Sequence, residues 1–388
     1  MSSFDTLHNN YEHNFIKYNA GFLKAMFGTA DVTPFWIADM DFKVAPAITE
    51  ALQKIVDREI YAYEFPTHKV FAAISDWFLK RHALQLDKKA FIQVTGVLTG
   101  IAVLIRELTN EGDGIMIQTP VYHQFANIIK TSNRKVVNNP LKIVNGKYQM
   151  DFKDVEEKIK SEHVKIILLC NPHNPVGRVW SKEELQKLVA LANEYNVTII
   201  SDEIHADIVF DAATFTSIAS LDQAKHITII GSPAKTFGMQ GIANGYLYIK
   251  NEEVHQKIKK AVTSLYLDHG NALSAYATIA AYTNGQEWLD ELLVYLQKTI
   301  DWIHDFLQTE LPQIQLFTPE GTYQIWLDVS GLNLSEEALK ELFFHKAKLA
   351  FTPGSWFDAN HSQYMRMNIA SPLSVIKDAF QQLKTVID

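Results

Sequence analysis

Val164-Lys-Ile-Ile-Leu-Leu-Cys170 is a short apolar run rich in β-strand formers, and it passes directly into Asn171-Pro-His-Asn-Pro-Val-Gly177, a stretch of turn-forming residues. The run reads as a buried strand and the continuation as the loop at its carboxyl end. Phe91 to Val94, Gly114 to Gln118, Val197 to Ser201 and His226 to Ser232 have the same strand character. From about residue 90 these runs alternate with longer stretches of helical period. One such stretch opens at Ser181, where Ser-Lys-Glu-Glu184 forms a capping box and Leu185, Leu188 and Leu191 follow on one face. Strand and helix in alternation give an α/β fold: a mostly parallel sheet covered by helices.

The rhythm changes after about residue 285. A long amphipathic helix through Thr309 precedes two short strands, Thr322 to Val329 and Tyr364 to Ile369, and a closing helix. This reads as a smaller α+β domain. The first 45 residues lack the strand–helix alternation and are grouped with it, giving a large domain over 46–284 and a small one from 1–45 and 285–388.

The chain has 388 residues, 47% hydrophobic and 21% charged, enough to bury a large core and incompatible with a disordered arm or a small disulfide-stapled scaffold. Thirty-six Lys and Arg against 44 Asp and Glu leave a net charge of −8 with no dense basic run. Neither nucleic acid nor an anionic membrane surface is an expected partner. A single cysteine, Cys170, allows no internal disulfide and fits a reducing compartment. The start, Met1-Ser-Ser-Phe-Asp-Thr-Leu-His-Asn-Asn10, lacks a signal-peptide pattern, and no apolar run approaches the roughly 20 residues of a membrane span. A cytoplasmic protein acting on a small molecule is expected.

In open α/β sheets ligands bind beyond the carboxyl ends of the strands. Those ends here read Thr95-Gly96-Val97, Pro120-Val121-Tyr122, Asn171 to Gly177, Ser201-Asp202-Glu203-Ile204-His205 and Ser232-Pro-Ala-Lys235-Thr236. Taken singly, each has an ordinary structural explanation: a turn, a helix cap, a core tyrosine, a solvated lysine. Together and in this order they describe a site. The 14 His show no metal-ligand spacing with Cys or paired carboxylates, so no metal is expected. No Gly-x-Ser-x-Gly elbow and no Rossmann glycine fingerprint is present.

The ordered set Asn174-Pro175-Val176-Gly177, Asp202-Glu203, Ser232-x-x-Lys235 and Arg366 in Tyr-Met-Arg366-Met-Asn-Ile-Ala-Ser-Pro372 resembles the aspartate-aminotransferase superfamily, the fold-type I enzymes that depend on pyridoxal 5′-phosphate (PLP). The resemblance spans nearly the whole chain. Within it, Pro34-Phe-Trp-Ile-Ala-Asp-Met-Asp-Phe42, Tyr61-Ala-Tyr63, Pro120-Val-Tyr122-His, Cys170 to Trp180 and Ser201-Asp-Glu-Ile-His205 are similar to the cystathionine β-lyase branch of MalY/PatB type. Those enzymes are carbon–sulfur lyases.

The resemblance implies roles residue by residue. Lys235 is the amine that holds the cofactor covalently and then handles the substrate's α-proton. Asp202 pairs with the pyridine nitrogen, Asn174 donates to the phenolic oxygen and Tyr122 lies against the ring. Gly96, Val97 and Leu98, at a strand-to-helix turn, offer N–H groups to the phosphate, with the Ser232 hydroxyl beside them. Tyr63 matches the tyrosine that reaches the phosphate of a neighbouring subunit, which implies a homodimer with shared sites. Arg366 takes the substrate α-carboxylate through a bidentate fork, its rival reading being a surface ion pair, and backbone from Trp36 to Ala38 closes the other side.

Two positions depart from the wider superfamily. Lys235-Thr-Phe-Gly-Met-Gln-Gly-Ile-Ala243 ends in alanine where many aminotransferases carry a phosphate-binding arginine, and His205 stands where many have a tyrosine. His205 is either a cofactor-side group or a histidine satisfied by backbone. The lyase branch accommodates both departures, so β-elimination from L-cystathionine or related cysteine S-conjugates is the expected reaction. An aminotransferase using the same cofactor is the alternative, and a PLP-binding regulatory protein is a third.

Overall fold

The computed structural model describes residues 2–221, 224 and 226–387; residues 1 and 388, the outer ends of the small-domain range, lie outside them. Seven strands form the main sheet: β1 (Phe91–Val94), β2 (Gly114–Ile117), β3 (Lys135–Asn138), β4 (Val164–Cys170), β5 (Thr198–Asp202), β6 (Ile227–Gly231) and β7 (Gly245–Tyr248), in the spatial order β1-β7-β6-β5-β4-β2-β3. The pairs from β6 through β5, β4 and β2 to β3 are parallel, and β7 alone runs against its two neighbours.

Alternation within a strand explains how one sheet supports two cores. Ile166, Leu168 and Cys170 of β4 face the core built with Ile101, Leu104 and Ile105 of the helix Val97–Leu108. Ile167 and Leu169 face the opposite core, with Val70, Ile74 and Trp77 of the helix Thr67–His82 and Leu185 and Leu188 of the helix Lys182–Glu194. Both faces are covered, so the strands are apolar throughout rather than alternating. At Ser181 the capping box closes from both sides, the serine hydroxyl accepting from Glu184 N–H and the glutamate accepting from Ser181 N–H.

A second, antiparallel sheet lies towards the carboxyl terminus: β8 (Gln315–Phe317), β9 (Gln324–Asp328), β10 (Thr352–Pro353) and β11 (Tyr364–Asn368), ordered β8-β9-β11-β10. The helices Gln286–Glu310 and Leu373–Ile387 accompany it. The amino-terminal part of the chain joins this region through backbone pairing, Thr33–Pro34 running parallel to Leu349–Ala350. In register, Arg366 of β11 stands opposite Trp326 and Thr352.

Candidate active site

The carboxyl ends of the parallel strands and the inner strand of the second sheet meet around a cavity of about 930 Å³. Gly96, Val97, Leu98, Tyr122, Asn174, Asp202, His205, Ser232, Lys235, Arg366, Ala38 and Trp36 all line it. Tyr63 does not: it is 94% exposed on the outer surface.

Backbone ties hold the strand-end loops against one another. Asn171 N–H donates to Asp202 O at 2.9 Å, Tyr122 N–H to Asn174 O at 3.1 Å and Glu203 N–H to Ile230 O at 2.9 Å. Gly177 sits at φ +73°, where a Cβ would meet Pro319 at 2.7 Å, so the loop after β4 turns back only with glycine there. At the start of β7, a Cβ on Gly245 would lie 2.9 Å from the carbonyl carbon of Gly96. Glycine lets β7 press against the loop that opens the helix Val97–Leu108. That helix has no side-chain cap, and its first N–H groups lack intrahelical partners by geometry.

Lys235 follows β6 on a single helical turn, Ala234–Phe237. Its Nζ donates to Ala38 O at 2.6 Å and stands 3.9 Å from Asp39 Oδ1. The Ala38 carbonyl also accepts from Tyr323 Oη at 3.0 Å and Gln240 Nε2 at 3.1 Å. Burial pulls the Lys235 ammonium down to about 8, with Asp39 opposing and Arg366 assisting. Arg366 donates to Trp36 O and, at 3.3 Å and 3.4 Å, to Thr352 Oγ1 and Asn174 Oδ1. Among the described residues it forms no ion pair with a carboxylate, and its Nε has no partner. Burial lowers its guanidinium to about 10, which leaves it cationic at neutral pH.

Asp202 ends β5, and among the described residues its carboxylate accepts one hydrogen bond, from Ile204 N–H at 3.1 Å. Burial pushes its carboxyl up to about 7, against the pull of that N–H and of Lys235. His205 Nδ1 has no partner, and burial beside Lys235 and Arg366 lowers the ring to about 3, so it is a neutral imidazole. At Nδ1, no backbone group among the described residues satisfies this histidine. Ser232 Oγ donates to Asn244 O at 2.8 Å and accepts from Ala234 N–H at 3.2 Å. Its proton is committed to the backbone, and a phosphate contact requires the hydroxyl to turn. Glu203 is buried away from the cavity on Ser201 Oγ and Ile218 N–H, a structural anchor.

These residues fit the cofactor implied by the sequence. A buried carboxyl with a single N–H partner calls for a cationic ring nitrogen, open helix N–H groups suit a phosphate, and Lys235 is drawn towards neutrality beside both. Among the described residues no group of three His, Cys, Asp or Glu is placed to hold a metal ion.

Several lining residues carried no signal in the sequence reading. Ile16, Phe22, Met26 and Trp356 form an apolar side of the cavity, and Gln240 and Thr352 join its polar wall. Phe22 and Met26, four apart on the helix Ala20–Phe27, leave a helical period that could have marked an apolar face.

Comparison with known proteins agrees with this geometry. The family model for aminotransferase class I and II matches residues 30–383. Cystathionine β-lyase PatB of Bacillus subtilis (strain 168) is 35% identical over 93% of this chain and 94% of its own. A PLP-bound protein from Clostridium difficile 630, provisionally called an aminotransferase, superposes with a TM-score of 0.95 at 37% identity over 99% of both chains. The PLP-bound C–S lyase of Staphylococcus hominis superposes with a TM-score of 0.91 at 29% identity over 100% of this chain and 98% of that one. With its fold, its strand-end residues and nearly its whole length accounted for in this way, the chain belongs to the class I and II aminotransferase family.

Proposed function

We propose that the protein is a PLP-dependent carbon–sulfur β-lyase that converts an L-cysteine S-conjugate, cystathionine among them, and water to a thiol, pyruvate and ammonia. The observation that carries this reading is the convergence of Lys235, Asp202 and Arg366 on one cavity in a chain 35% identical to a cystathionine β-lyase. When bound, PLP supplies an electron sink for negative charge developing at the substrate α-carbon.

The chain's own residues do the rest. Asp202 meets the cationic ring nitrogen and is held as a carboxylate by that charge. Asn174 and Tyr122 orient the ring, and the N–H groups of Gly96, Val97 and Leu98, with Ser232, receive the phosphate. Arg366, with no carboxylate partner among the described residues, offers its fork to the substrate carboxylate, and the Trp36 to Ala38 backbone runs from Arg366 to Lys235, its carbonyls accepting from both. Lys235 holds the cofactor and, once released, takes the α-proton; an amine near pH 8 is matched to that task. A β-thiolate then leaves. Ala243 lines the cavity where an arginine is common in aminotransferases, so phosphate binding leans on backbone donors.

A homodimer fits the outer surface. Tyr63 stacks on Phe65, Phe65 meets His269 edge-on, and His269 contacts Tyr266, so one exposed aromatic patch joins two distant segments. A second copy covers it and brings Tyr63 to the neighbouring phosphate. The single buried Cys170 suits the cytoplasm.

The aminotransferase reading draws on the naming of the Clostridium difficile neighbour. One experiment separates the two: incubate the PLP-loaded protein with L-cystathionine, without a keto acid, and follow free thiol and pyruvate. Sustained release of both establishes the lyase. A single stoichiometric change that resumes only when a keto acid is added establishes the aminotransferase. A protein that takes up no PLP refutes both.

A further inference from the structure

We propose that the apolar side of the cavity is a subsite for the sulfur substituent, so that the preferred substrates are L-cysteine S-conjugates with an alkyl or aryl group rather than a second amino-acid head group. The proposal deepens the lyase reading and rests on it for the placement of the substrate's amino-acid end.

The wall starts at the carboxylate anchor. Trp36, whose carbonyl accepts from Arg366, meets Phe27 edge-on at 5.6 Å, and Phe27 stacks on Trp356 at 6.0 Å. From the same helix Phe22 and Met26 point into the cavity, with Ile16 from the preceding turn. Although they line a cavity, these three side chains remain 49%, 41% and 52% exposed. They are apolar surface that an incoming group covers at a gain.

The charges tell the same story. Among the described lining residues only Asp202, Lys235 and Arg366 are charged, and each is assigned to the cofactor or to the substrate α-carboxylate. His123 and His205 also line the cavity, and burial lowers both below the usual histidine range, so neither offers a cation. Lys17, close in sequence to Ile16, is fully buried on Asp41 at 2.8 Å. The remaining polar side chains there, Gln124, Gln240 and Thr352 among them, are neutral. A further charge beside the cavity, Asp39, stands 3.9 Å from Lys235 Nζ and so at the amino-acid end. The distal half of cystathionine carries an ammonium and a carboxylate, which lose hydration against the apolar side with no counter-charge among the described residues there. An alkyl or aryl sulfide has no such loss.

The test uses two series on the PLP-loaded protein. Straight-chain L-2-amino acids from alanine to 2-aminooctanoate have no β-leaving group, and their binding is read from the visible absorption of the cofactor. Affinity is expected to rise about two- to fourfold per added methylene, the upper figure being full burial. Phe22→Ser/Met26→Ser flattens the slope, and the gentler Met26→Gln flattens it in part. In turnover, S-hexyl-L-cysteine exceeds L-cystathionine by at least about tenfold in kcat/KM. A flat binding series, or cystathionine at or above the S-hexyl conjugate, overturns the subsite. A rising series with no thiol or pyruvate from any conjugate keeps the subsite and refutes the lyase; elimination with a flat series does the reverse.

Discussion

The Thr236 hydroxyl donates to the Asp207 carboxylate at 2.9 Å, one residue along the chain from Lys235. Asp207 lies on the loop that begins at Asp202, and its other oxygen accepts from Trp77 Nε1 and lies 2.9 Å from His82 Nε2, both on the helix Thr67–His82. One buried carboxylate thus ties the Asp202 loop and the Lys235 turn to a common helix. Burial would push its carboxyl up, but bonds from His82 and Trp77 and the nearby Arg81 hold it below the usual range, as an acceptor for all these donors.

Asp207→Asn is expected to lower kcat about 5- to 100-fold while changing KM little, because the Arg366 side of the cavity shares none of these bonds. The magnitude corresponds to roughly 1–3 kcal/mol for a buried polar network left partly unsatisfied. A purely structural role would move melting temperature alone. The distinguishing measurement is a pH titration of the visible absorption of the loaded protein, whose midpoint shifts if the Lys235 amine is displaced and stays fixed if it is not.

Arg366→Lys keeps the charge and loses the fork. Its guanidinium already donates to Trp36 O and Thr352 Oγ1, which sets the plane it offers to a carboxylate. A lysine reproduces neither the plane nor the second donor. KM is expected to rise about 10- to 100-fold with a smaller change in kcat, measured by steady-state thiol release. An unchanged KM would place the substrate carboxylate elsewhere.

Much of the large sheet was legible because strands covered on both faces must be apolar throughout, as Val164–Cys170 is. Two strands were not. Lys135–Asn138 is an edge strand with exposed lysine and asparagine ends, and Gly245–Tyr248 opens on a glycine that the site requires for close approach. The site residues at the strand ends were legible because chemistry-bearing types stand in a fixed order there. Tyr63 is the exception, being on the outer surface of its own chain. The apolar wall was hidden: Ile16, Phe22 and Met26 come to line one cavity with Arg366 only through folding that joins positions about 340 to 350 apart in the chain. Asp207 was hidden for the same reason, its partners Trp77 and His82 lying 130 and 125 positions away. Local periodicity carries no trace of such contacts.

Lys235 gives a prediction that needs no substrate. In the cofactor-free protein its amine titrates near 8 against an ordinary value of 10.5. Between those values the unfolded chain binds the proton and the folded one does not, so stability rises with pH through that window. Below about 8 the buried ammonium carries its full cost, on the order of 3 kcal/mol. Cofactor-free Lys235→Met should therefore melt above the cofactor-free parent at pH 6.5, and the gap should close towards pH 10. Thermal unfolding at three pH values decides it; a constant gap would show that the amine is not destabilised by burial.

Asp202→Asn should separate stability from function. In the cofactor-free protein the carboxyl titrates near 7 rather than near 3.8, so the folded state holds a proton that the unfolded chain releases between those values. Stability from this site is greatest below about 4 and is lost as pH rises through 7, which makes the buried carboxylate a net cost at pH 8. Asparagine removes that cost and can still accept from Ile204 N–H, so the cofactor-free variant should unfold at a higher temperature than the parent at pH 8. With PLP bound, the carboxylate instead faces a ring cation. Removing one partner of a buried charge pair costs about 3–5 kcal/mol, so cofactor affinity and kcat together should fall by two to three orders of magnitude or more. Raised melting without cofactor alongside lost thiol release identifies Asp202 as a group held at a cost for PLP; a variant that is less stable and still active would assign it to the scaffold alone.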